Sequence, residues 1–213
     1  MSGPMLRRLD SVRSTQEEAR GLPLGTVVVA EVQTAGRGRL GRRWDAPRGT
    51  ALLASFVLSA RPLASLTAGV ATAEACLRAS GREVRLKWPN DLLLDGAKVG
   101  GILVESPPGR ALVGVGVNLT WAPPGAARLG APRDPLLEAV RDRLDAWWPR
   151  PATEVLGRWR ELSDTLGRRV RVELPGESFT GLAEGLDEDG ALRVAGRKVA
   201  VGDVVHILPQ PGR

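Results

Sequence analysis

Cysteine, histidine and tyrosine are almost missing from this sequence, which excludes several kinds of site. Cys76 is the only cysteine, His206 is the only histidine, and there is no tyrosine. One cysteine cannot form an internal disulfide, and one cysteine with one histidine cannot supply a zinc site of the usual ligand types, so we predict no metal-ligating side chains. No motif supports a Ser-His-Asp triad, and we interpret His206 as a packed strand residue.

Long apolar runs are also missing. No segment approaches the roughly 18 consecutive apolar residues of a membrane helix, and the first residues lack the apolar core of a signal peptide. We therefore expect a cytoplasmic protein without a membrane span. With 43% hydrophobic and 25% charged residues, the 213-residue chain is predicted to bury a sizeable core.

Lysine is scarce, although the chain carries a net charge of +6. Only Lys87, Lys98 and Lys198 are lysines among 30 basic residues. A basic chain leaves nucleic-acid binding open. Because alanine, glycine, proline and arginine are all abundant, we attribute the arginine excess to codon bias. A position that stays lysine against this background indicates a need for an ammonium group, which a guanidinium does not replace.

The apolar pattern predicts an α+β chain, with a mixed sheet and helices packed on it. Consecutive apolar positions in the strands indicate burial on both faces. The predicted strands are residues 4–10, 26–32, 51–59, 84–88, 91–96, 97–106 and 111–119. The predicted helices begin at a capping box formed by Ser14 and Thr15, at Pro62, at Asp134 and before Val155.

From about Arg168 the apolar period changes to two, which predicts a small antiparallel β-barrel. We therefore divide the chain into a main domain, residues 1–167, and a small barrel domain, residues 168–213. The second part has fewer than 50 residues, and its core alone would be marginal. We expect it to dock on the main domain.

A stretch rich in arginine and glycine, the arginine loop (residues 36–44, "GRGRLGRRW"), lies between two predicted strands. Glycine lets backbone approach a ligand closely, and arginine presents fixed forks to phosphate or carboxylate. We expect the loop to be mobile without a ligand and to close over an anion. The alternative is a solvated basic turn, because the loop matches none of the common phosphate-binding motifs.

Two of the three lysines belong to a second stretch, "KWPND" followed by "GAKVGGILVES". Lys87 opens the first segment. Lys98 precedes Gly100 and Gly101, where a missing side chain would let a ligand or backbone approach. The alternative is a hairpin whose lysines point to water.

The strings "EVQTAGRGRLGRRW", "KWPNDLLLDGAKVGGILVE" and "GVGVNL" resemble the catalytic domain of biotin–protein ligases. The order also matches: Ser14-Thr15, the arginine loop, "KWPND", the lysine with its glycine pair, and the strand ending in Asn118. The likeness covers about residues 10–120 strongly, and the tail loosely resembles the family's SH3-like barrel. Because the Ser-Thr element comes at Ser14, we expect the monofunctional type, without an operator-binding domain and without specific DNA binding.

The resemblance implies a role for each matching residue. Gln33 would bond the biotin ureido ring beside Ser14, Thr15 and Gln16, the last standing where the family often has asparagine. Lys98 and Arg37 would neutralise charge between the biotin carboxylate and the α-phosphate. Asp91 would orient the acceptor lysine or a hydrated magnesium ion. The remaining binding positions implied are Gly36, Gly38, Arg39, Trp44, Lys87, Asn90, Gly100, Gly101 and Asn118, with Trp44 near the adenine.

The resemblance further implies biotin, ATP and Mg²⁺ as ligands, with a biotin carboxyl carrier domain of a biotin-dependent carboxylase as acceptor. The chain would act as a monomer or a homodimer. Two other functions stay open from the sequence: a lipoate–protein ligase or octanoyl transferase, and a nucleic-acid-binding protein that uses the basic loop and the barrel. The tail holds only one aromatic residue, Phe179, which disfavours base stacking.

Overall fold

The computed structural model describes residues 5–207, and its larger part is a seven-stranded mixed sheet. The strands run in the order β1-β2-β3-β7-β6-β5-β4, and only β1 and β2 are parallel neighbours. Their bounds are β1 Leu6–Val12, β2 Val27–Gln33, β3 Ala51–Ser59, β4 Arg85–Lys87, β5 Asp91–Leu94, β6 Ala97–Glu105 and β7 Arg110–Asn118. The predicted α+β class is confirmed.

Helices cover both faces of this sheet. The bounds are α1 Thr15–Ala19, α2 Ala64–Ser80, α3 Arg133–Trp147 and α4 Ala152–Leu162. Val113, Val115 and Val117 of β7 face the core shared with α2, α3 and α4, whereas Leu112 packs against Ala19 of α1. Side chains alternate across a strand, so one face of the sheet carries the main core. We call the opposite face, against which α1 packs, the α1 face.

The C-terminal part is a five-stranded antiparallel sheet in the order β11-β10-β9-β8-β12. Its strands are β8 Arg169–Leu174, β9 Glu177–Leu186, β10 Leu192–Val194, β11 Arg197–Val199 and β12 Asp203–His206. Its buried side chains join the core of the main sheet, and the Trp88 indole donates to the Gly190 carbonyl at 3.0 Å. The expected docking is therefore confirmed. The domain division stays a prediction, and residues 1–4 and 208–213 lie outside the described residues.

Three helix ends differ from the sequence prediction. Ser14 is the N-cap of α1 but makes no side-chain capping bond there. Helix α3 starts after Pro132, one residue before Asp134, whose carboxylate accepts from Arg8 at 2.8 Å instead. The apolar pattern predicts that helix α4 continues to Leu166, with Gly167 past its end. It ends at Leu162 instead, because the Ser163 hydroxyl accepts the backbone N–H groups of the next turn.

Strand β9 was not predicted, although it is the longest strand of the tail. Its inward positions include Gly181 and Ala183, while the apolar Leu182 points outward and is 48% exposed. Small residues inside and a leucine outside hide the period of two that identifies a half-buried strand.

The inner face of helix α2 is buried against the sheet and the other helices. Cys76 of α2 is fully buried, and its burial raises the pKa of the thiol to about 12. None of the helices within residues 5–207 combines the length and apolar character needed to cross a bilayer.

Candidate functional site

A pocket opens on the α1 face of the main sheet, between α1, the arginine loop and strands β5 to β7. Twelve of the residues singled out from the sequence line it: Ser14, Thr15, Gln16, Gln33, Arg37, Gly38, Arg39, Trp44, Asn90, Asp91, Lys98 and Gly101. The fold thus brings most of the predicted residues to one place.

The floor of the pocket is bare backbone. Gly101 of β6 and Gly116 of β7 are direct cross-strand partners, and the Trp44 indole lies on them. A Cβ atom at Gly116 would lie 2.7 Å from Trp44 Cε2, which is closer than real Cβ contacts. These glycines are therefore needed for the ring to reach the sheet. The Trp44 Nε1 donor is buried without a partner.

Lys98 and Asp91 form an ion pair on this floor, with 2.5 Å between Nζ and Oδ1. A β-bulge makes the pair possible, because the register shifts so that Leu92 faces Gly100 while Leu93 faces Lys98. Without the extra residue, Lys98 and Gly101 would point to opposite faces. The lysine side chain stays 39% exposed and its Nζ lies 5.8 Å from the centre of the Trp44 ring.

An uncharged polar cluster occupies another part of the lining. The Gln33 side-chain oxygen accepts from the Thr15 backbone N–H at 2.7 Å and from the Thr15 hydroxyl at 3.0 Å. The buried Ser55 hydroxyl donates in turn to the Thr15 hydroxyl at 2.9 Å. This chain of bonds orients the Gln33 amide so that its N–H₂ group is free to donate to a ligand. Ser14, which is buried, lies next to it.

Gln16 is buried beside the same floor. Its amide nitrogen donates to the Leu112 carbonyl at 3.2 Å and weakly to the Leu103 carbonyl, while its side-chain oxygen has no partner. A Cβ at Gly114 would lie 3.3 Å from that oxygen, so the missing side chain leaves room for it. An unpaired buried acceptor in a pocket wall indicates a place for a ligand or a water donor.

The arginine loop forms the opposite wall, and ion pairs to other elements hold it. Arg37 pairs with Glu17 of α1. Arg39 donates to the Asn90 side-chain oxygen at 3.3 Å and to the Gly202 carbonyl at 3.3 Å. Burial lowers the pKa of Arg39, against the opposing effect of Asp91. A desolvated guanidinium of this kind is ready for an anion.

Four predicted residues do not line this pocket. Gly36 packs under Trp44, and Gly100 lies within the sheet, where a Cβ would be 2.6 Å from the Gly116 carbonyl. Asn118 is buried and donates to the Ala127 carbonyl at 3.1 Å, beside the start of β6. Lys87 pairs in register with Asp91, and burial lowers its pKa while Asp91 raises it.

Several lining residues were missed from the sequence. The glycines Gly114 and Gly116 repeat at a spacing of two in "GVGVN", a pattern that marks one bare face of a strand and is readable from the sequence. Ser55, a hydroxyl within an apolar strand, carries a similar signal, although it contacts Thr15 and does not itself line the pocket. The other missed lining residues are Arg42, Arg43, Leu53, Ala54, Ile102, Leu103, Val115 and Asp203.

The lining is cationic, with five arginine or lysine side chains against the carboxylates of Asp91 and Asp203. Within residues 5–207, no group of three or more His, Cys, Asp or Glu side chains gathers to hold a metal ion. Mg²⁺ commonly takes one or two carboxylates plus the phosphates of a bound nucleotide, and Asp91 fits that need, whereas the two oxygens of Asp203 face Arg39 and Arg42. The pocket can therefore hold an extended molecule that carries an uncharged polar group and an anion.

Known proteins resemble this chain in sequence and in fold. The profile of the Biotin/lipoate A/B protein ligase family matches residues 6–120, and that of the Biotin protein ligase C terminal domain matches residues 165–206. A biotin–[acetyl-CoA-carboxylase] ligase of Mycobacterium tuberculosis is 37% identical, over 86% of this chain and 79% of its own length. The bifunctional ligase/repressor BirA of Escherichia coli is 31% identical, and the match covers 80% of this chain and 62% of that protein.

Solved structures give the same picture. A biotin protein ligase from Aquifex aeolicus, in complex with biotin and ATP, superposes with a TM-score of 0.83 at 28% identity, covering 95% of this chain and 98% of that one. A biotin protein ligase from Leishmania major, in complex with biotinyl-5-AMP, superposes with a TM-score of 0.71 at 26% identity, covering 98% and 100% of the two chains.

Proposed function

Because this chain belongs to the biotin/lipoate A/B protein ligase family, we propose that it joins biotin to a protein lysine at the expense of ATP. The chain is an ATP-dependent biotin–protein ligase, which first makes biotinyl-5′-AMP and then transfers the biotinyl group. The observation that carries the assignment is that one pocket is lined by two chemically different groups of residues. The pocket sets the uncharged Thr15–Gln33 cluster and the cationic Lys98–Arg39 side on one glycine floor.

In the first step a carboxylate oxygen of biotin attacks the α-phosphorus of ATP, and pyrophosphate leaves. Two anions must meet, so cations between them lower the barrier. We assign this work to Lys98, supported by Arg37 and Arg39. Lys98 is held by Asp91, and this partly exposed pair costs little to open when a phosphate arrives.

At the other end of the substrate, the Gln33 amide and the Ser14 and Thr15 hydroxyls are proposed to bond the biotin ring. The Gln16 oxygen is an additional acceptor there. The arginine loop is proposed to cover the mixed anhydride, because water would hydrolyse it. Trp44, lying on the glycine floor, is proposed to border the adenine.

In the second step the neutral amine of the acceptor lysine attacks the acyl carbon, and AMP leaves. A proton must leave the attacking nitrogen, and Asp91 is the proposed acceptor of that proton. Asp91 is free for this role only when Lys98 has turned to the phosphate, so one ion pair links the two steps. Mg²⁺, held by the nucleotide with Asp91, would supply charge neutralisation at the phosphates.

The proposed acceptor is the biotin carboxyl carrier domain of a biotin-dependent carboxylase, as the names of the relatives suggest. Incubation of such a domain with the protein, ATP, Mg²⁺ and biotin should add one biotinyl group by mass. The cytoplasmic location, the absence of specific DNA binding and the monomeric or dimeric state stay predictions. A gel-shift assay and sedimentation check the last two.

The adenylation half-reaction is tested by pyrophosphate release. The rate should depend on biotin and fall about 100-fold to 1,000-fold in Lys98→Ala, the loss expected for one electrostatic group. Lys198→Ala is the matched control, because Lys198 is exposed on the tail and pairs with Asp189. Release that responds to lipoate rather than biotin would move the assignment to lipoate transfer. Equal rates in the two lysine variants would remove Lys98 from the mechanism.

A further inference from the structure

Among residues 5–207, the hydrogen bonds and ion pairs between the C-terminal sheet and the arginine loop lie at the start of β12. The Gly202 carbonyl accepts two hydrogen bonds from Arg39, both at 3.3 Å. Asp203 follows it, lies 3.5 Å from Arg39 Nη1, and makes a second ion pair with Arg42. The Asp203 side chain is only 16% exposed and lines the pocket itself.

The backbone conformation at Gly202 specifies this contact. Gly202 adopts a φ of +124°, and a Cβ there would lie 2.8 Å from the Glu173 carbonyl and 2.7 Å from a Leu174 methyl. Only glycine fits such a position, so the carbonyl is aimed at Arg39 by the local backbone. Arg39 Nη1 also donates to the Asn90 side-chain oxygen, so residues from two elements fix the direction of the guanidinium.

Few other contacts attach the half of the loop that contains Arg39 and Arg42. Inside the loop, the Gly38 N–H donates to the Arg42 carbonyl at 2.7 Å, and Arg37 bridges Arg43. Those bonds shape the loop but do not attach it to the pocket. Among the described residues, the attachments on the Arg39–Arg42 side are Asn90, Gly202 and Asp203.

We propose that Asp203 is a positioning residue of the active site: the C-terminal sheet uses it to hold Arg39 and Arg42 over the pocket before the phosphates arrive. The roles of the arginines in adenylation rest on the proposed function; the attachment of the loop does not. Asp203 acts through the arginines, and its loss should release the loop rather than unfold the protein.

Limited trypsin digestion tests the attachment without any substrate, because the loop contains four arginines. Asp203→Asn keeps the shape and removes the charge, and it should raise cleavage within the loop roughly fivefold to tenfold. Glu173→Gln is the matched control, since Glu173 pairs with Asp203 across the β8–β12 ladder but its carboxylate bonds Arg171. It should leave cleavage unchanged, and Asp203→Glu should restore it to within about twofold.

Kinetics then separate positioning from a structural role. In Asp203→Asn the KM for ATP should rise roughly tenfold while kcat changes less, because binding in ground and transition states is weakened alike. More biotinyl-5′-AMP should escape into solution. Arg42→Gln should have a similar effect, and the double variant should be little worse than either single one.

Unchanged cleavage and KM in Asp203→Asn would overturn the proposal, as would additive effects of Asp203→Asn and Arg42→Gln. If Asp203→Asn does not fold, Arg42→Gln alone decides, because its exposed side chain contributes little to folding. Absence of any biotin-dependent pyrophosphate release in the unmodified protein would defeat the proposed function, yet the digestion result would still stand for the loop.

Discussion

The two sides of the pocket, the sheet floor and the arginine-loop wall, are held in place by different interactions. The floor, made by β5, β6 and β7, is fixed by backbone ladders and by a glycine pair against Trp44. The arginine loop is fixed by side-chain ion pairs to Glu17 and Asp203 and by a hydrogen bond to Asn90. Backbone ladders break only when strands separate, whereas partly exposed ion pairs are each worth little in water.

This difference assigns a different part of the chemistry to each wall. A rigid floor keeps the backbone of Lys98 and Asp91 fixed through both steps, so that only the ion pair between their side chains opens. A loop held by weak ion pairs can open for substrates and close over the adenylate without a large change in free energy. Changes to the floor and changes to the loop should therefore give effects of different size and kind.

The largest effect is expected from adding a methyl group to the floor. Gly116→Ala would press on the Trp44 ring, and displacing a bordering group by about 1 Å should reduce pyrophosphate release roughly 100-fold. The matched control is Gly185→Ala in β9, where a Cβ meets nothing within 4 Å. Equal activity in the two variants would show that Trp44 does not depend on a bare floor.

A smaller effect is expected from salt. Raising the salt from about 0.05 M to 0.5 M shortens the screening length and weakens exposed ion pairs. Hydrogen exchange in residues 36–44 should speed up severalfold, while exchange in β6 and β7 should not change. Cys76 is an internal control, because its buried thiol should react with a disulfide reagent only on unfolding, at both salt concentrations. Faster exchange in both walls would abolish the distinction.

Asn90 contacts both the arginine loop and β6, so one substitution should stabilise the loop and destabilise the floor. Asn90→Asp keeps an oxygen for Arg39 and adds a charge, which should slow exchange in the loop about twofold to threefold. It removes the donor to the Ile102 carbonyl, now 2.8 Å away, which should lower the free energy of unfolding by about 1–3 kcal/mol. Chemical denaturation and exchange on the same sample measure both.

The smallest effect concerns pH at the strand that holds the loop. Burial lowers the pKa of His206 in β12 and Lys87 lowers it further; Asp164 and Asp91 oppose this, and Arg168 adds to the lowering. The unfolded chain takes up its proton near pH 6.5 and the folded one only at lower pH, so stability should fall as pH drops below about 6.5. Thermal unfolding of His206→Gln between pH 7.5 and 5 should show a flatter dependence.

The same contrast separates what could be predicted from what could not. The helices, the mixed sheet and most pocket residues were predicted, because local apolar periods and motifs such as "KWPND" are visible in a single stretch of chain. Strand β9 was missed, since Leu182 points outward from it. Gly114 and Gly116 were missed although their spacing of two carries the signal.

The α+β class, the membership of a ligase family and the residue types that meet the anionic substrates follow from the sequence alone. Which of those residues lie close together depends on the folded chain. A bulge of one residue in β6 turns Lys98 to the face of Asp91, and folding brings Asp203 to Arg39 from 164 positions away. Both depend on strand register and domain docking, which follow from packing of the whole chain rather than from any local pattern.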